Sequence, residues 1–189
     1  MRSLAIFASG SGTNAQAIAE YFRNKEKYII KLILTNKPDA FVLERAKMLN
    51  IPTMVFDKET FYNTRKILQT LKKEHIDLII LAGFLWLIPD YLITNYPNRI
   101  INIHPALLPK YGGKGMYGQL VHESVIKNKD AETGITIHFI NNEYDKGKII
   151  FQAKCKVKST DSPESIANKV HKLEHKFYPK VIEKILKDL

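Results

Sequence analysis

Leu4-Ala5-Ile6-Phe7-Ala8 runs straight into Ser9-Gly10-Ser11-Gly12, and this stretch decides the fold. A short apolar run of this kind is typical of a buried strand, and the glycines after it indicate a tight turn. Apolar residues then recur at helical spacing from Asn14 to Phe22, with Thr13 or Asn14 as the N-cap. A strand, a glycine turn and a helix in this order predict the start of a βαβ unit.

The same alternation continues through the first hundred residues. Short apolar runs, several of them β-branched, alternate with stretches of helical spacing. The predicted strands are Tyr28–Thr35, Pro52–Phe56, Asp77–Ala82 and Arg99–His104. The predicted helices are Asp39–Leu49, Glu59–Glu74 and Pro89–Tyr96. This order predicts an α/β fold with a doubly wound, mostly parallel sheet of the Rossmann-like type.

The second half of the chain changes character. A loop rich in glycine and proline, residues 105–118, precedes a predicted helix at Gln119–Lys127. Thr133–Ile140 alternates with period two, and Lys148–Lys156 returns as a second strand after a turn. These two strands predict an antiparallel hairpin added to the C-terminal side of the sheet.

A long C-terminal helix is predicted over Asp161–Leu186. Ser162 or Asp161 is its expected N-cap, and Pro163 suits its first turn because the first helical N–H groups have no partner in the helix. Pro179 lies inside this stretch, where proline removes a hydrogen bond, so we expect a kink or a break there. No repeat, linker or low-complexity tract divides the sequence, and a single domain over residues 1–189 is expected.

Composition narrows the possible partners. The chain has 189 residues, 45% of them hydrophobic, and a net charge of +10 from 29 basic and 19 acidic residues. The lysines are scattered and not interleaved with aromatic residues, which favours a solvated lysine-rich surface, with a field that attracts phosphates or polycarboxylates as the alternative. We expect small-molecule substrates and no nucleic acid. The longest apolar stretch, Leu78–Pro89, is too short and too interrupted to span a membrane. The single Cys155 excludes an intramolecular disulfide and fits a cytoplasmic location.

The glycine loop has two functional interpretations. Gly10–Ala15 matches G-x-G-x-x-G/A, the dinucleotide pattern, but that pattern needs a carboxylate at the end of the second strand. The strand ends without one, and Asp39 lies beyond it, which disfavours NAD. The helix N-terminus can still bind a phosphate through its free N–H groups and its dipole, and we expect Gly12, Thr13 and Asn14 to supply the contacts.

A second polar cluster follows the fifth predicted strand. Asn102 and His104 lie two residues apart, so in a strand they project to the same face, and Pro105 should end the strand. Asp145 occurs about forty residues later in the turn Asp145-Lys146-Gly147. An amide and an imidazole can stabilise an oxyanion, and a carboxylate can favour the imidazolium and accept a proton. Neither G-x-S-x-G nor H-E-x-x-H is present, so serine or zinc hydrolysis has little support.

Four segments resemble the folate-dependent formyltransferases. They are Ser9–Asn14, Leu81–Phe84, Ile101–Pro109 and Asp145–Gly147, in family order across nearly the whole chain. The Asn-x-His-Pro-x-Leu-Leu-Pro run is specific to this class as a whole. The Ser-Gly-x-Gly-(Ser/Thr)-Asn loop is similar to that of the branch acting on phosphoribosylglycinamide in purine synthesis.

The resemblance implies transfer of a formyl group from 10-formyltetrahydrofolate to the glycinamide amine, without a metal. By position, Asn102, His104 and Asp145 are the implied catalytic residues, with Asp145 raising the pKa of His104. Glu174 is the implied ribose contact beside the phosphate loop. The implied folate contacts are Arg65, Leu85, Trp86, Leu87, Ile88, Asn102, Asn141 and Asp145. Residues 1–100 would form the phosphate-binding half and residues 101–189 the folate-binding and catalytic half, in a monomer or a homodimer.

The sequence departs from the family pattern at two places. Trp86 stands where a smaller or basic residue is expected, and the loop over residues 111–118 is longer and richer in glycine than usual. This loop is expected to act as a mobile lid.

Three alternatives remain. A formyltetrahydrofolate hydrolase would use the same three residues with water as the acceptor, although Met1 leads directly into the first strand without a regulatory domain. A methionyl-tRNA formyltransferase would need a further RNA-binding domain after Leu189. A non-catalytic nucleotide-binding module would leave Asn102 and His104 unexplained.

Overall fold

The computed structural model describes residues 1–189, which form one seven-stranded sheet with helices on both faces. The strands are β1 (Arg2–Phe7), β2 (Tyr28–Thr35), β3 (Thr53–Val55), β4 (Leu78–Leu81), β5 (Ile100–His104), β6 (Glu132–Phe139) and β7 (Ile149–Lys156). The helices are α1 (Thr13–Phe22), α2 (Val42–Met48), α3 (Lys66–Lys73), α4 (Asp90–Asn95), α5 (Gln119–Lys127) and α6 (Pro163–Asp188). None of the helices is both long and apolar enough to cross a membrane.

The strand order is β3-β2-β1-β4-β5-β6-β7. The first five of these strands run parallel, while β6 pairs antiparallel with both β5 and β7. The predicted fold class, with its antiparallel hairpin and long C-terminal helix, is therefore confirmed. The chain leaves β1 toward one side of the sheet and β4 toward the other, which opens a crevice at their carboxyl ends where such sheets bind ligands.

Alternation along the strands divides the core between the two faces of the sheet. On β1, Ile6 packs on one face with α1 and α6, whereas Phe7 packs on the other face with α3 and α4. Both side chains are fully buried. Because parallel strands are covered on both faces, they appear in the sequence as continuous apolar runs.

The third predicted helix is wrong in one respect. Instead of one helix over Glu59–Glu74, the chain forms a π-helical turn at Glu59–Asn63 and then starts α3 at Lys66. Thr64 is extended at the break, and its hydroxyl accepts from the Lys66 N–H at 3.2 Å. A threonine that bonds to the nearby backbone competes with helix continuation, which explains the interruption. The predicted helix Asp39–Leu49 is also shorter and begins at Val42.

The predicted break at Pro179 is absent, because α6 continues through it to Asp188. Tyr178 and Ile182 on either side of the proline are fully buried in the core. Burying two such side chains stabilises the helix by more than the roughly 3 kcal/mol that an internal proline costs. At the other end, Ser162 caps the helix through a reciprocal pair of hydrogen bonds with Ser165.

Candidate active site

One cleft of about 840 Å³ lies at the carboxyl ends of β1, β4 and β5. It brings together thirteen of the residues that the sequence singled out: Gly12, Thr13, Asn14, Leu85, Trp86, Leu87, Ile88, Asn102, His104, Asn141, Asp145, Glu174 and Pro105. Arg65 does not line this cleft. It is exposed, and its guanidinium stacks on the ring of Tyr91 with the Cζ atom 4.4 Å from the ring centroid.

Strand β5 places Asn102 and His104 on the same face, as the spacing predicted. In the ladder with β6, Asn102 lies opposite His138 and His104 lies opposite Thr136. The Nδ2 atom of Asn102 is 3.2 Å from Nε2 of His138. The sheet therefore adds a second imidazole to the predicted pair.

His138 is a site residue that sequence reasoning did not identify. It is 1% exposed, and its Nδ1 donates to the Phe139 carbonyl at 2.9 Å, which leaves Nε2 facing the cluster. With the proton on Nδ1, Nε2 accepts from Asn102, and it also lies 3.6 Å from Asp145 Oδ1. The period-two alternation placed His138 on one face of β6, but only the pairing of β6 with β5 shows which residues it meets.

Asp145 lies between the two imidazoles. Its Oδ2 is 3.5 Å from Nδ1 of His104, and the same oxygen accepts from the Gly113 N–H at 2.9 Å. Burial raises the pKa of Asp145, but His138, His104 and the Gly113 N–H outweigh burial and hold this pKa below its usual 3.8. The carboxylate is therefore ionised at neutral pH.

The turn that carries Asp145 depends on Gly147. A Cβ atom on this residue would lie 1.7 Å from the carbonyl oxygen of Phe139, closer than any side chain can approach. Gly147 thus lets the turn lie directly against the end of β6. The glycine of the Asp-Lys-Gly turn has this steric cause.

His104 is 3% exposed and donates from Nε2 to the Tyr111 carbonyl at 2.7 Å. Burial lowers the pKa of His104 below its usual 6.5, and the opposing effect of Asp145 recovers only part of this shift. The expected effect of Asp145 has the right sign, but the expected net rise in the pKa of His104 is wrong. The imidazole is therefore neutral at pH 7, and because Nε2 donates to Tyr111, Nδ1 is the nitrogen that can take a proton.

These groups suit a reaction that passes through an oxyanion. Asn102 has a second amide hydrogen beyond the one directed at His138, and His104 Nδ1–H becomes a donor on protonation. Donors of this kind typically contribute about 3–4 kcal/mol to stabilising an oxyanion. Asp145 stabilises the imidazolium and can accept a proton from an attacking amine.

The N-terminus of α1 forms another part of the cleft. The helix begins at Thr13 with Gly12 as its N-cap, so the predicted cap at Thr13 or Asn14 is wrong. Gly12 has a φ of 75°, and a Cβ atom on it would lie 2.5 Å from a Val42 methyl group. The first N–H groups of the helix have no partner within it and face a site that suits an anion.

Glu174 of α6 reaches this same part of the cleft. It is 4% exposed, and its Oε2 accepts from Asn14 Nδ2 at 2.9 Å and from His171 Nδ1 at 2.8 Å. The hydrogen bond to Glu174 raises the pKa of His171, which is half-exposed at the cleft margin. His171 was not identified from the sequence, because the helical pattern does not show which turn of α6 lies over α1.

An apolar wall, Leu85–Ile88, follows β4 and lines the crevice. Trp86 stacks on Tyr62 with ring centroids 6.0 Å apart and belongs to an aromatic cluster with Phe56, Phe61 and Phe84. This cluster packs Trp86 against the core, and the wall lines the same cleft as Asn141 and Asp145, where a flat heterocycle fits.

Comparison with known proteins agrees with this geometry. The Formyl transferase family matches residues 2–182. The chain is 39% identical to a chloroplastic phosphoribosylglycinamide formyltransferase of Arabidopsis thaliana over 99% of its own length and 66% of that protein. It is 37% identical to the phosphoribosylglycinamide formyltransferase of Bacillus subtilis over 98% of its length and 95% of that protein.

Solved structures show the same likeness. The phosphoribosylglycinamide formyltransferase of Anaplasma phagocytophilum superposes with a TM-score of 0.90 at 32% identity, covering 99% of this chain and 87% of that one. The Bacillus halodurans enzyme of the same name gives 0.88 at 36% identity, covering 98% and 95%. The family match spans nearly the whole chain, and this chain therefore belongs to the formyl transferase family.

Proposed function

We propose that this chain transfers the formyl group of 10-formyltetrahydrofolate to the amine of phosphoribosylglycinamide, a step of de novo purine biosynthesis. The observation that carries the proposal is the meeting of Asn102, His104 and Asp145 in the same cleft as the N-terminus of α1. An acyl-transfer cluster and a phosphate site in one crevice suit a phosphorylated amine and a formyl donor. The relatives that bear this name support the same reaction.

In this reaction the neutral amine attacks the formyl carbon, and an oxyanion develops on the formyl oxygen. Asn102 Nδ2–H and protonated His104 Nδ1–H donate to it, while Asp145 balances the charge of the imidazolium. As the tetrahedral intermediate collapses, the bond to the folate nitrogen breaks, and that nitrogen takes a proton. The proton that the amine loses passes to Asp145, directly or through a water, and from Asp145 to Nδ1 of His104, 3.5 Å away; His104 then gives it to the folate nitrogen, so both groups end as they began.

The binding roles follow the groups that line the cleft. Gly12, Thr13 and Asn14 bind the substrate phosphate at the α1 N-terminus, and Glu174 binds its ribose. Folate lies along Leu85–Ile88 and the turn from Asn141 to Asp145. The exposed Arg65 meets its glutamate tail outside the cleft.

On this assignment residues 1–100 contribute the phosphate-binding half of a single domain, and residues 101–189 the catalytic and folate-binding half. We further propose that the protein acts in the cytoplasm as a monomer or a homodimer. The net charge of +10 favours anionic small substrates of this kind.

An absorbance assay of the folate product, run with and without phosphoribosylglycinamide, tests the reaction. We expect the formyl group to be lost only when phosphoribosylglycinamide is present. Loss at the same rate without it would identify a formyltetrahydrofolate hydrolase, and tight phosphate binding without any loss would identify a non-catalytic module.

Two variants test the assigned roles. His104→Ala should abolish transfer, and Asn102→Asp should be nearly as harmful because it places an acceptor where a donor is required. His75→Asn is a matched control, since His75 is exposed on a loop and its φ of 52° suits asparagine. Near-normal turnover by a folded His104→Ala protein would remove His104 from the mechanism.

A further inference from the structure

Only two buried side-chain polar atoms in the chain lack a hydrogen-bond partner, Oδ1 of Asn14 and Nδ1 of His122. Both residues line the cleft, and both lie near enough to Glu174 to interact with its carboxylate. A buried polar atom without a partner costs about 1–3 kcal/mol, so proteins rarely leave one unsatisfied. Two such atoms in one cleft point to a polar ligand that satisfies both.

His122 belongs to α5, on the face of the helix that carries the buried residues Val121 and Val125. It is 3% exposed. Burial lowers the pKa of His122, with a further lowering from His171, so the ring is neutral at pH 7. A neutral imidazole has one donor and one acceptor nitrogen, and a ligand group that both donates and accepts can therefore satisfy either tautomer.

The neighbouring groups show what kind of ligand fits. Asn14 donates its Nδ2 to Glu174, which fixes the amide so that Oδ1 remains an acceptor in need of a donor. The hydrogen bonds from Asn14 and His171 both go to Oε2 of Glu174, which leaves Oε1 to a ligand. The substrate phosphate can take the backbone N–H groups of α1, but it carries no donor for Oδ1 of Asn14 and is repelled by the Glu174 carboxylate. A hydroxyl can donate to Asn14 or Glu174 and still accept.

We propose that His122 is a substrate-binding residue that, with Asn14 and Glu174, holds the two ribose hydroxyls of the substrate. The protein thereby selects a ribosyl over a deoxyribosyl substrate. This inference rests on the proposed function, because that function supplies a substrate whose phosphate binds α1 and whose ribose then lies beside Glu174. The two ribose hydroxyls suit this part of the cleft because they can pair with Oδ1 of Asn14 and Nδ1 of His122, which otherwise have no partner.

Calorimetric titration in the absence of folate tests the assignment without depending on turnover. The ligands are phosphoribosylglycinamide and its 2′-deoxy and 3′-deoxy analogues. The proteins are the unmodified chain, His122→Phe, which fills the same space without a polar atom, and His122→Asn, whose amide group takes the place of Nδ1. Glu123→Gln is the matched control, since Glu123 is the next residue of α5 and is exposed. Thermal unfolding shows which variants fold.

The unmodified chain should bind the ribosyl ligand at least tenfold more tightly than one of the deoxy analogues. His122→Phe should lower the affinity for the ribosyl ligand about tenfold, because it removes the partner of one hydroxyl. The affinity for the deoxy analogue that lacks this hydroxyl should not change. His122→Asn should retain most of the affinity for the ribosyl ligand. Equal weakening of all three ligands by His122→Phe would show a purely structural role and overturn the proposal. Should His122→Phe fail to fold, equal affinities of the unmodified chain for all three ligands would overturn it as well.

The outcome is separable from that of the proposed reaction. If phosphoribosylglycinamide binds with the expected dependence on His122 but no formyl group is transferred, the reaction fails and the ribose site stands. If transfer occurs while neither deoxy analogue binds more weakly, the reaction stands and the role of His122 fails.

Discussion

The Nε2 atom of His104 donates to the carbonyl oxygen of Tyr111 at 2.7 Å, which leaves Nδ1 as the ring nitrogen that faces Asp145. Tyr111 has a φ of 55°, a conformation that costs a non-glycine residue free energy. Its hydroxyl donates to Asp130 at 2.8 Å and accepts from Asn128 at 2.7 Å. The orientation of the buried imidazole thus depends on polar groups near the surface, well outside the cleft.

Tyr111→Phe should lower kcat by about threefold to tenfold while KM for both substrates stays within about twofold. The variant removes the hydroxyl that anchors the strained residue, so the carbonyl orients His104 less well in the transition state. Steady-state kinetics measure this split. Tyr21→Phe is the control, because its hydroxyl also donates to a carboxylate, that of Glu183, far from the cleft. Each variant should lose about 1 kcal/mol of unfolding free energy; equal losses of kcat in both would contradict the anchoring role.

Asp145→Asn should lower the pKa of His104 still further. Burial already holds this pKa below 6.5, and the carboxylate is the largest effect opposing burial. Removing the negative charge therefore shifts protonation of His104 to lower pH, so at pH 7 fewer molecules carry the imidazolium. NMR titration of the His104 ring measures the pKa directly, and kcat at pH 7 should fall by about 100-fold or more.

The pH profile of the same variant separates this effect from a loss of structure. The rate of Asp145→Asn should recover in part as the pH is lowered, because acid replaces the missing electrostatic support for protonation. A His104 pKa that is unchanged or raised in the variant would show that the carboxylate acts in another way.

The parts of the fold that local patterns determine were predicted well. Tyr28–Thr35 and Gln119–Lys127 have the bounds that their periodicity indicates, because burial on the sheet or against it follows directly from the spacing of apolar residues. Asn102 and His104 were placed on one face for the same reason, since their relation depends only on the repeat of a single strand. Helix interruptions were harder, because the extended Thr64 and the continuous helix at Pro179 depend on packing and hydrogen bonds outside the local pattern.

The parts of the site that need contacts between distant segments could not be read from the pattern alone. His138 meets Asn102 only because β6 pairs with β5 in one particular register. His122 and His171 come from two helices, whose rotation about their axes decides what faces the cleft. Glu174 was inferred through the resemblance to the family, since nothing local distinguishes it from the other glutamates of α6. Sequence periodicity fixes directions within an element, whereas the site depends on how elements are placed against one another.

Glu183→Gln should destabilise the protein at neutral pH and have little effect in strong acid. Glu183 on α6 accepts from Tyr21 at 2.6 Å and pairs with Lys25 at 2.7 Å, which ties α6 to the end of α1. The hydrogen bond from Lys25 and that from Tyr21 lower the pKa of Glu183 from 4.5 to about 2. Because the folded pKa lies below the unfolded one, this stabilisation is present above about pH 4.5 and is lost as the pH falls toward 2.

The expected loss at pH 7 is about 1 kcal/mol, since the carboxylate is 17% exposed and solvent weakens the pair. Urea unfolding at pH 7 and pH 2 measures the difference, with Glu26→Gln at an exposed position as the control. A loss of the same size at both values of pH would mean that packing of the side chain matters more than its charge.

Gly12→Ala should lower the unfolding free energy by about 2 kcal/mol or more and weaken binding of the substrate phosphate. The φ of 75° at this position costs an alanine about 1–2 kcal/mol, and the new methyl group would lie 2.5 Å from Val42, so the loop or α2 must shift.

Gly10→Ala is the control for stability, because a Cβ atom there has no neighbour within 4 Å and the φ lies outside the left-handed region. Urea unfolding and titration with phosphoribosylglycinamide measure the two effects, and equal stability of the two variants would show that the turn adapts without strain. If Gly12→Ala loses stability but keeps its affinity, the first N–H groups of α1 do not hold the phosphate, and the binding role assigned to this loop has to be given up.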